Sequence, residues 1–334
     1  MLVYKSLLEE ISKRVNYPLT LKLVFNGGVR GFIKVEVKKL EEFKVKNNCV
    51  LFGKFDGLHR GHRSAIDLLK QEEHEGLNSV MLYVETDDIE RIYTKEEKQT
   101  ILEKINPMYY VDASRFNLKN MEAQQFIEEI LIDKLDAKKI IIGESYRFGK
   151  DRKGSIDTLK KLSKKLGFEI IECKTKTYDN KPITSERIKD EIRSGNILDV
   201  NEMLGEPYFI IGEVLHGKAL GRTVGMPTAN LSIPKEKIEP KHGVYATLTK
   251  IDNKTYKGLT NIGLRPSVDN YNYTTVETFL LDFSKDIYGE KIKIEIHDYI
   301  RGVVKFNNLS EVKAQVEKDI ERIENCFKRG IVYG

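Results

Sequence analysis

Between positions 48 and 173 the apolar residues fall into short blocks separated by amphipathic stretches of helical period. NCVLFG, SVMLYVE, KKIIIGE and FEIIECK are strand-like; HRSAIDLLKQEEHEG, TKEEKQTILEKI, MEAQQFIEEILIDKLD and SIDTLKKLSKKLG read as helices. Short apolar strands that alternate with helices predict a parallel sheet covered on both faces. After about 205 the texture changes. YFIIGEVLHG, HGVYATLTKI, KTYKGLTNIG, TVETFLLDF and KIKIEIHDYI are strands broken by Gly, Pro, Asn and Asp. They predict a compact antiparallel β domain, a barrel. LSEVKAQVEKDIERIENCF predicts a closing helix, and SERIKDEIRSGNILDVNEMLG short connecting helices. Ahead of all this, Leu7, Leu8, Ile11 and Val15 mark an amphipathic helix, followed by the strand-like LKLVF and FIKVEV. The expected organisation is an appendage over 1–45, an α/β domain over 46–186, a helical connector over 187–205 and a β domain over 206–330.

A chain of 334 residues fits two domains, and 40% hydrophobic residues suffice for real cores. There is no run of about 18 apolar residues, and acids interrupt the N-terminal apolar pattern. Neither a membrane span nor a signal peptide is expected, and a cytoplasmic location is the default. Cys49, Cys173 and Cys326 are widely separated and odd in number, which argues against a disulfide framework or a zinc motif. The net charge of +5 is mild and spread out. It serves anionic small molecules as readily as nucleic acid and does not choose between them.

The candidate chemistry begins at LFGKFDGLHRGH, positions 51–62, where two of the chain's six histidines fall three residues apart. Its glycines let the backbone turn tightly and approach a ligand. His59 and His62 sit at the opening of the next helix, where free amide N–H groups favour an anion. Imidazoles placed there donate to phosphate oxygens and follow charge onto a leaving group. An HxxH pair alone is most often a cap or a surface feature, and a metal pair needs further ligands that no neighbouring Cys or Glu cluster supplies. The preceding strand, the embedded Gly-x-Phe-Asp-Gly and a second basic motif downstream favour phosphate.

GKFDGLHRGH resembles the HxGH-bearing motif of the nucleotidyltransferase superfamily, in the version preceded by Phe-Asp-Gly. That version marks the prokaryotic bifunctional riboflavin kinase/FMN adenylyltransferase family, also called FAD synthetase. IIIGESYRFGKDRKGS and ITSERIK resemble two further segments of the same family, and the likeness runs from about 48 to 327. The resemblance implies a Rossmann-like nucleotidyltransferase domain, then a six-stranded Greek-key barrel with a terminal helix. It implies that His59 and His62 hold the ATP phosphates, that Gly53, Phe55, Asp56 and Gly61 shape the nucleotide-binding turn, and that Ser185 and Arg187 reach the β- and γ-phosphates. It implies that Tyr146, Phe148, Arg152 and Gly154 shape a loop near nucleotide and flavin, with Mg²⁺ bridging the phosphates. The chain departs from the family at LYVETDDIERIYT, which lacks the usual Phe-Asp-Pro-His-Pro-like segment, and at Thr184, which replaces a serine.

HGKALGRTVGMPTANL, from 216 to 231, spaces Gly217, Gly221 and Gly225 by four ahead of a proline turn. Glycines at that density let backbone amides face a phosphate. The stretch resembles the riboflavin kinase signature. It implies that Thr228 and Asn230 bind Mg²⁺ and the ATP phosphates, that Gly221 and Arg222 form a flap beside the nucleotide, and that Arg301 lies near the flavin. It also implies a glutamate general base within Arg-x-Glu-x-Lys-Phe; here IRGVVKF puts Val303 in that place, which predicts an impaired kinase. Glu277, Asp282 and Asp298 are the neighbouring acids. The function expected is adenylation of FMN to FAD and phosphorylation of riboflavin to FMN, with ATP, riboflavin and FMN as partners and no membrane or nucleic acid. The alternatives are an adenylyltransferase with a non-catalytic flavin-binding barrel, and a flavin-responsive regulatory or RNA-binding protein.

Overall fold

The computed structural model describes residues 37–85, 89–216, 228–265 and 273–328. The described part of the N-terminal appendage enters the sheet as β1 (Val37–Lys39). Then follow β2 (Asn48–Gly53), α1 (Arg60–His74), β3 (Asn78–Tyr83), α2 (Lys95–Ile105) and β4 (Tyr109–Asp112). One turn, Ala123–Gln125, leads into α3 (Phe126–Lys134), wound as a π-helix. β5 (Ala137–Gly143), α4 (Ile156–Leu166) and β6 (Glu169–Cys173) complete the α/β half. Its six strands are all parallel, in the order β1-β4-β3-β2-β5-β6. The alternation of strands buried on both faces with amphipathic helices produces this arrangement. Strand order reverses between β2 and β5, which opens a crevice at their carboxyl ends.

A short hairpin, β7 (Thr177–Tyr178) and β8 (Lys181–Pro182), precedes the connecting helices α5 (Ser185–Ser194) and α6 (Ile197–Leu204). Both helices end on a glycine in the left-handed conformation, Gly195 and Gly205, which stops each and turns the chain. The second half comprises β9 (Tyr208–Glu213), β10 (Thr228–Ser232), β11 (Gly243–Ile251), β12 (Lys254–Arg265), β13 (Tyr273–Leu280), β14 (Lys291–Arg301) and α7 (Leu309–Lys328). Its order, β10-β13-β12-β11-β14-β9, is antiparallel throughout, and β10 beside β13 makes the Greek key. A bridge between Leu215 and Asn230 joins the two ends of the curled sheet.

One face of the parallel sheet has its own core, built on Val50, Phe52, Leu82, Phe126 and Ile140. The other face is continuous with the barrel interior. Leu51, Met81 and Ile141 share a cluster with Ile188 and Ile192 of α5, Val200 and Met203 of α6, and Tyr208, Tyr245 and Ile294 of the barrel. The connector therefore works as packing between the halves.

Candidate active sites

β2 ends at Gly53, on the crevice edge. Beyond it Phe55, Gly57 and Leu58 all have positive φ, at 50°, 80° and 44°. A side chain at Gly57 is excluded twice: by its φ, and because a Cβ there would lie 2.8 Å from Ile92 Cδ1. Burial of Phe55 and Leu58 holds these strained residues in place. Asp56 is 1% exposed. Its Oδ1 accepts the Ile92 N–H at 2.9 Å, and its Oδ2 lies 3.3 Å from Lys189 Nζ and 3.5 Å from Lys54 Nζ. Ser185 Oγ donates to the Asp56 carbonyl at 2.9 Å, which sets the start of α5 against this turn.

His59 is the N-cap of α1; its Nδ1 accepts the His62 N–H at 3.4 Å. The two imidazoles stack at 3.7 Å, 22° from parallel. A Cβ on Gly61 would press to 3.1 Å from the His59 ring, so glycine gives the ring its room. Burial pushes His59 down to about 4 against a weaker pull from Asp56, and pushes His62 well below the usual histidine range. Both rings are neutral near pH 7. Because His59 Nδ1 accepts, its proton is on Nε2, the edge turned away from the cap. His62 Nδ1 is buried with no hydrogen-bond partner among the described residues.

Lys98 of α2 is buried beside this turn, donates to the Lys54 carbonyl at 3.2 Å and lies 4.6 Å from the Tyr83 ring. Burial lowers it to about 8. Lys54 and Lys189 pair with the buried Asp56 carboxylate and Lys98 is held on the Lys54 carbonyl, which gathers three ammonium groups near the N-termini of two helices. Such a cluster suits a polyphosphate.

In the barrel, Thr228 and Asn230 lie on one face of β10. Asn230 pairs across the sheet with Glu277 of β13, which pairs in turn with Asn261 of β12. Direct antiparallel partners share a face, so the three form a polar row. A cavity of about 320 Å³ opens beside Thr228, lined also by Val214, Leu280, Phe283, Asp286 and Tyr288.

Residues 42–187 match the FAD synthetase family model and residues 204–327 the riboflavin kinase model. A bifunctional riboflavin kinase/FMN adenylyltransferase of Haemophilus influenzae is 30% identical over 85% of this chain and 96% of its own length. One of Bacillus subtilis is 34% identical over 86% and 95%. The chain belongs to the bifunctional riboflavin kinase/FMN adenylyltransferase family. A Streptococcus pneumoniae crystal structure, described as a macrolide-efflux protein, superposes with a TM-score of 0.77 at 27% identity, covering 88% of this chain and 99% of that one. Among the described residues here, no helix is long and apolar enough to cross a membrane.

The structure brings His59, His62, Gly53, Phe55, Asp56, Gly61 and Ser185 of this family member together at the β2–α1 turn. Arg187 is nearby in sequence, but its Nη1 is turned onto the hairpin carbonyls of Tyr178 (2.8 Å) and Lys181 (3.0 Å). Phe148 packs in the core against Phe52 and Phe126, while Tyr146 touches Phe52 from the rim. Burial pushes the Tyr146 hydroxyl up to about 12, and Arg152 pulls it back. Arg301 is committed to buried Asp319 of α7, at 2.9 Å from Nε and 2.7 Å from Nη2. Gly221 and Arg222 lie outside the described residues. Lys54 is legible within GKFDG, whereas Lys98, inside the charged run KEEKQ, carries no signal in the sequence.

The neutral imidazoles imply a pH dependence. An unfolded histidine titrates at 6.5, whereas folded His59 titrates at about 4, so acid favours the unfolded chain. The contribution is complete above pH 6.5 and is lost as pH falls towards 4. For His59 alone the loss is on the order of 3 kcal/mol. Thermal melts of the ligand-free protein between pH 7 and 4 will show the decline, and the His59→Asn variant will flatten it.

Proposed function

We propose that the β2–α1 turn transfers the adenylyl group of ATP to FMN, and that the Thr228–Asn230–Glu277 face phosphorylates riboflavin. The chain is an enzyme of FAD biosynthesis that acts on ATP, riboflavin and FMN. In the first reaction a phosphate oxygen of FMN bonds to the α-phosphorus of ATP while the bond to pyrophosphate breaks. His59, through Nε2–H, and His62 donate to the phosphate oxygens as charge builds on them. Amides at the start of α1 and α5, with Ser185, Lys98 and Lys189, take the leaving β- and γ-phosphates. The Nη2 edge of the Arg187 fork serves the same phosphates. Asp56 holds the turn, since its oxygens are engaged by Ile92, Lys54 and Lys189. Tyr146 and Arg152 border the flavin end; Phe148 supports them from the core.

In the barrel, Glu277 takes the proton of the riboflavin 5′-hydroxyl as its oxygen attacks the γ-phosphorus and ADP leaves. Among the described residues no group of three His, Cys, Asp or Glu forms a metal cage. Thr228 and Asn230 supply two oxygens of the hard kind Mg²⁺ selects, and the phosphates supply others, so the residues fit the ion. When bound, Mg²⁺ neutralises phosphate charge. Arg301, locked to Asp319, fixes α7 beside the open end of β14. The reading puts the enzyme in the cytoplasm, where ATP is plentiful.

The observation that carries the first half is the stacked, neutral histidine pair at a helix N-terminus beside a second one. Purified protein incubated with Mg²⁺, ATP and either riboflavin or FMN, its flavins then separated by chromatography, tests both halves. FMN and then FAD are the expected products. FAD from FMN with none of either from riboflavin reduces the barrel to a binding module; no FAD from FMN removes the first assignment.

A further inference from the structure

Lys237 belongs to the barrel half, between β10 and β11, yet its ammonium is buried against the α/β half. It donates to Glu97 Oε2 at 2.7 Å and to the carbonyls of Ile92 and Phe209, each at 3.0 Å. Three N–H groups meet three acceptors, two of them in the α/β half. The Tyr93 and Tyr208 rings flank the charge at 4.9 and 4.6 Å. The backbone adds a two-way bridge: Arg91 N–H donates to the Glu236 carbonyl and Ile238 N–H to the Arg91 carbonyl, both at 2.7 Å. Glu97 spans the same junction in the other direction, accepting the Thr94 N–H and the Ile211 N–H of β9, each at 2.9 Å.

Ile92 is the residue all this grips. Its carbonyl is held by Lys237, its N–H by Asp56 Oδ1, and its Cδ1 fills the space over Gly57. We infer that Lys237 is a positioning residue for adenylyl transfer: from the barrel it fixes Ile92 and, through Asp56, the turn that presents His59 and His62. The inference rests on the adenylyl-transfer reading above. Stability does not explain the pair, because the desolvation of two buried charges roughly cancels their attraction. What the pair supplies is a fixed place for the carbonyl of the same residue whose N–H bonds Asp56 in the catalytic turn.

The test is Lys237→Met in the full chain, with both reactions measured on the same preparation, so that riboflavin phosphorylation reports the fold. FAD formation from FMN will lose about ten- to a hundredfold in kcat, the scale of a displaced reacting group. FMN formation from riboflavin will stay within about twofold, since Lys237 has no part in that chemistry. Lys237→Met combined with Glu97→Gln leaves no unpaired buried charge and decides the matter if the single variant folds poorly. The same selective loss is expected there, because the Ile92 carbonyl still lacks its donor. Unchanged FAD formation in the double variant, or an equal loss of both activities in it, overturns the inference and leaves Lys237 a structural residue. A wild-type chain that forms no FAD fails the earlier reading instead, before either variant is made.

Discussion

With asparagine at both His59 and His62, FAD formation from FMN will fall at least about a thousandfold, while riboflavin phosphorylation is retained. A single preorganised donor to developing charge is worth roughly 10²- to 10³-fold. The two losses will not simply multiply, because the rings act as a unit. They stack at 3.7 Å, and His59 Nδ1 accepts the His62 amide, so either change disturbs both. Asparagine is a good N-cap, which lets the variant keep α1 while removing the Nε2 donor. Capping and phosphate donation are thereby separated: a merely capping His59 predicts no loss of rate in His59→Asn. Steady-state assay of each single variant and of the pair, with the kinase reaction as control, measures this directly.

The alternation of strands and helices is legible because strands buried on both faces leave short continuous apolar blocks that the residue pattern reveals. β4 is not, since MYYVD is short and its tyrosines are as compatible with a loop. β1 was blurred for the same reason: three residues, VKK, become a strand only because β4 offers them a partner. PTAN reads as a turn through its proline and asparagine, yet Thr228–Ser232 is a strand. Pairing with β13 outweighs local preference there. MEAQQFIEEILIDKLD has a helix's period, but nothing in its pattern foretells the π winding over Phe126–Lys134.

At the site, motif spacing made the histidines visible, whereas the cations around them were hidden by their own surroundings. Lys98 and Glu97 sit in a run that looks like a solvated helix face, and both are buried. Only the tertiary fold, which lays α2 against the turn and the barrel, turns two ordinary surface letters into a buried ammonium beside the β2–α1 turn and a carboxylate bonded to Ile211 and Lys237 of the second half. The same applies to Arg301. Its place in the motif suggested a ligand, but Asp319, eighteen positions later, engages its fork.

Glu277→Gln will reduce FMN formation from riboflavin by roughly 10²- to 10⁴-fold, the range for loss of a positioned base. FAD formation from supplied FMN will be unchanged. Glutamine preserves the shape of the side chain and removes its ability to accept a proton, so the fold should survive. Glu277 is singled out by register. It lies directly between Asn230 and Asn261 on the face that carries Thr228. Val303 follows the end of β14, is 62% exposed, and belongs to a segment anchored through Arg301 to α7. Asp298 is on β14 opposite Ala246 and accepts the Tyr299 N–H, three strands away from β13. Asp282 lies past the end of β13 with a φ of 58°, in the turn that leaves the sheet. Val303→Glu is the matching control. If the base is Glu277, restoring a carboxylate at 303 adds nothing to the rate and does not rescue Glu277→Gln. A kinase that instead accelerates with Val303→Glu and tolerates Glu277→Gln locates the proton acceptor at the end of the last strand.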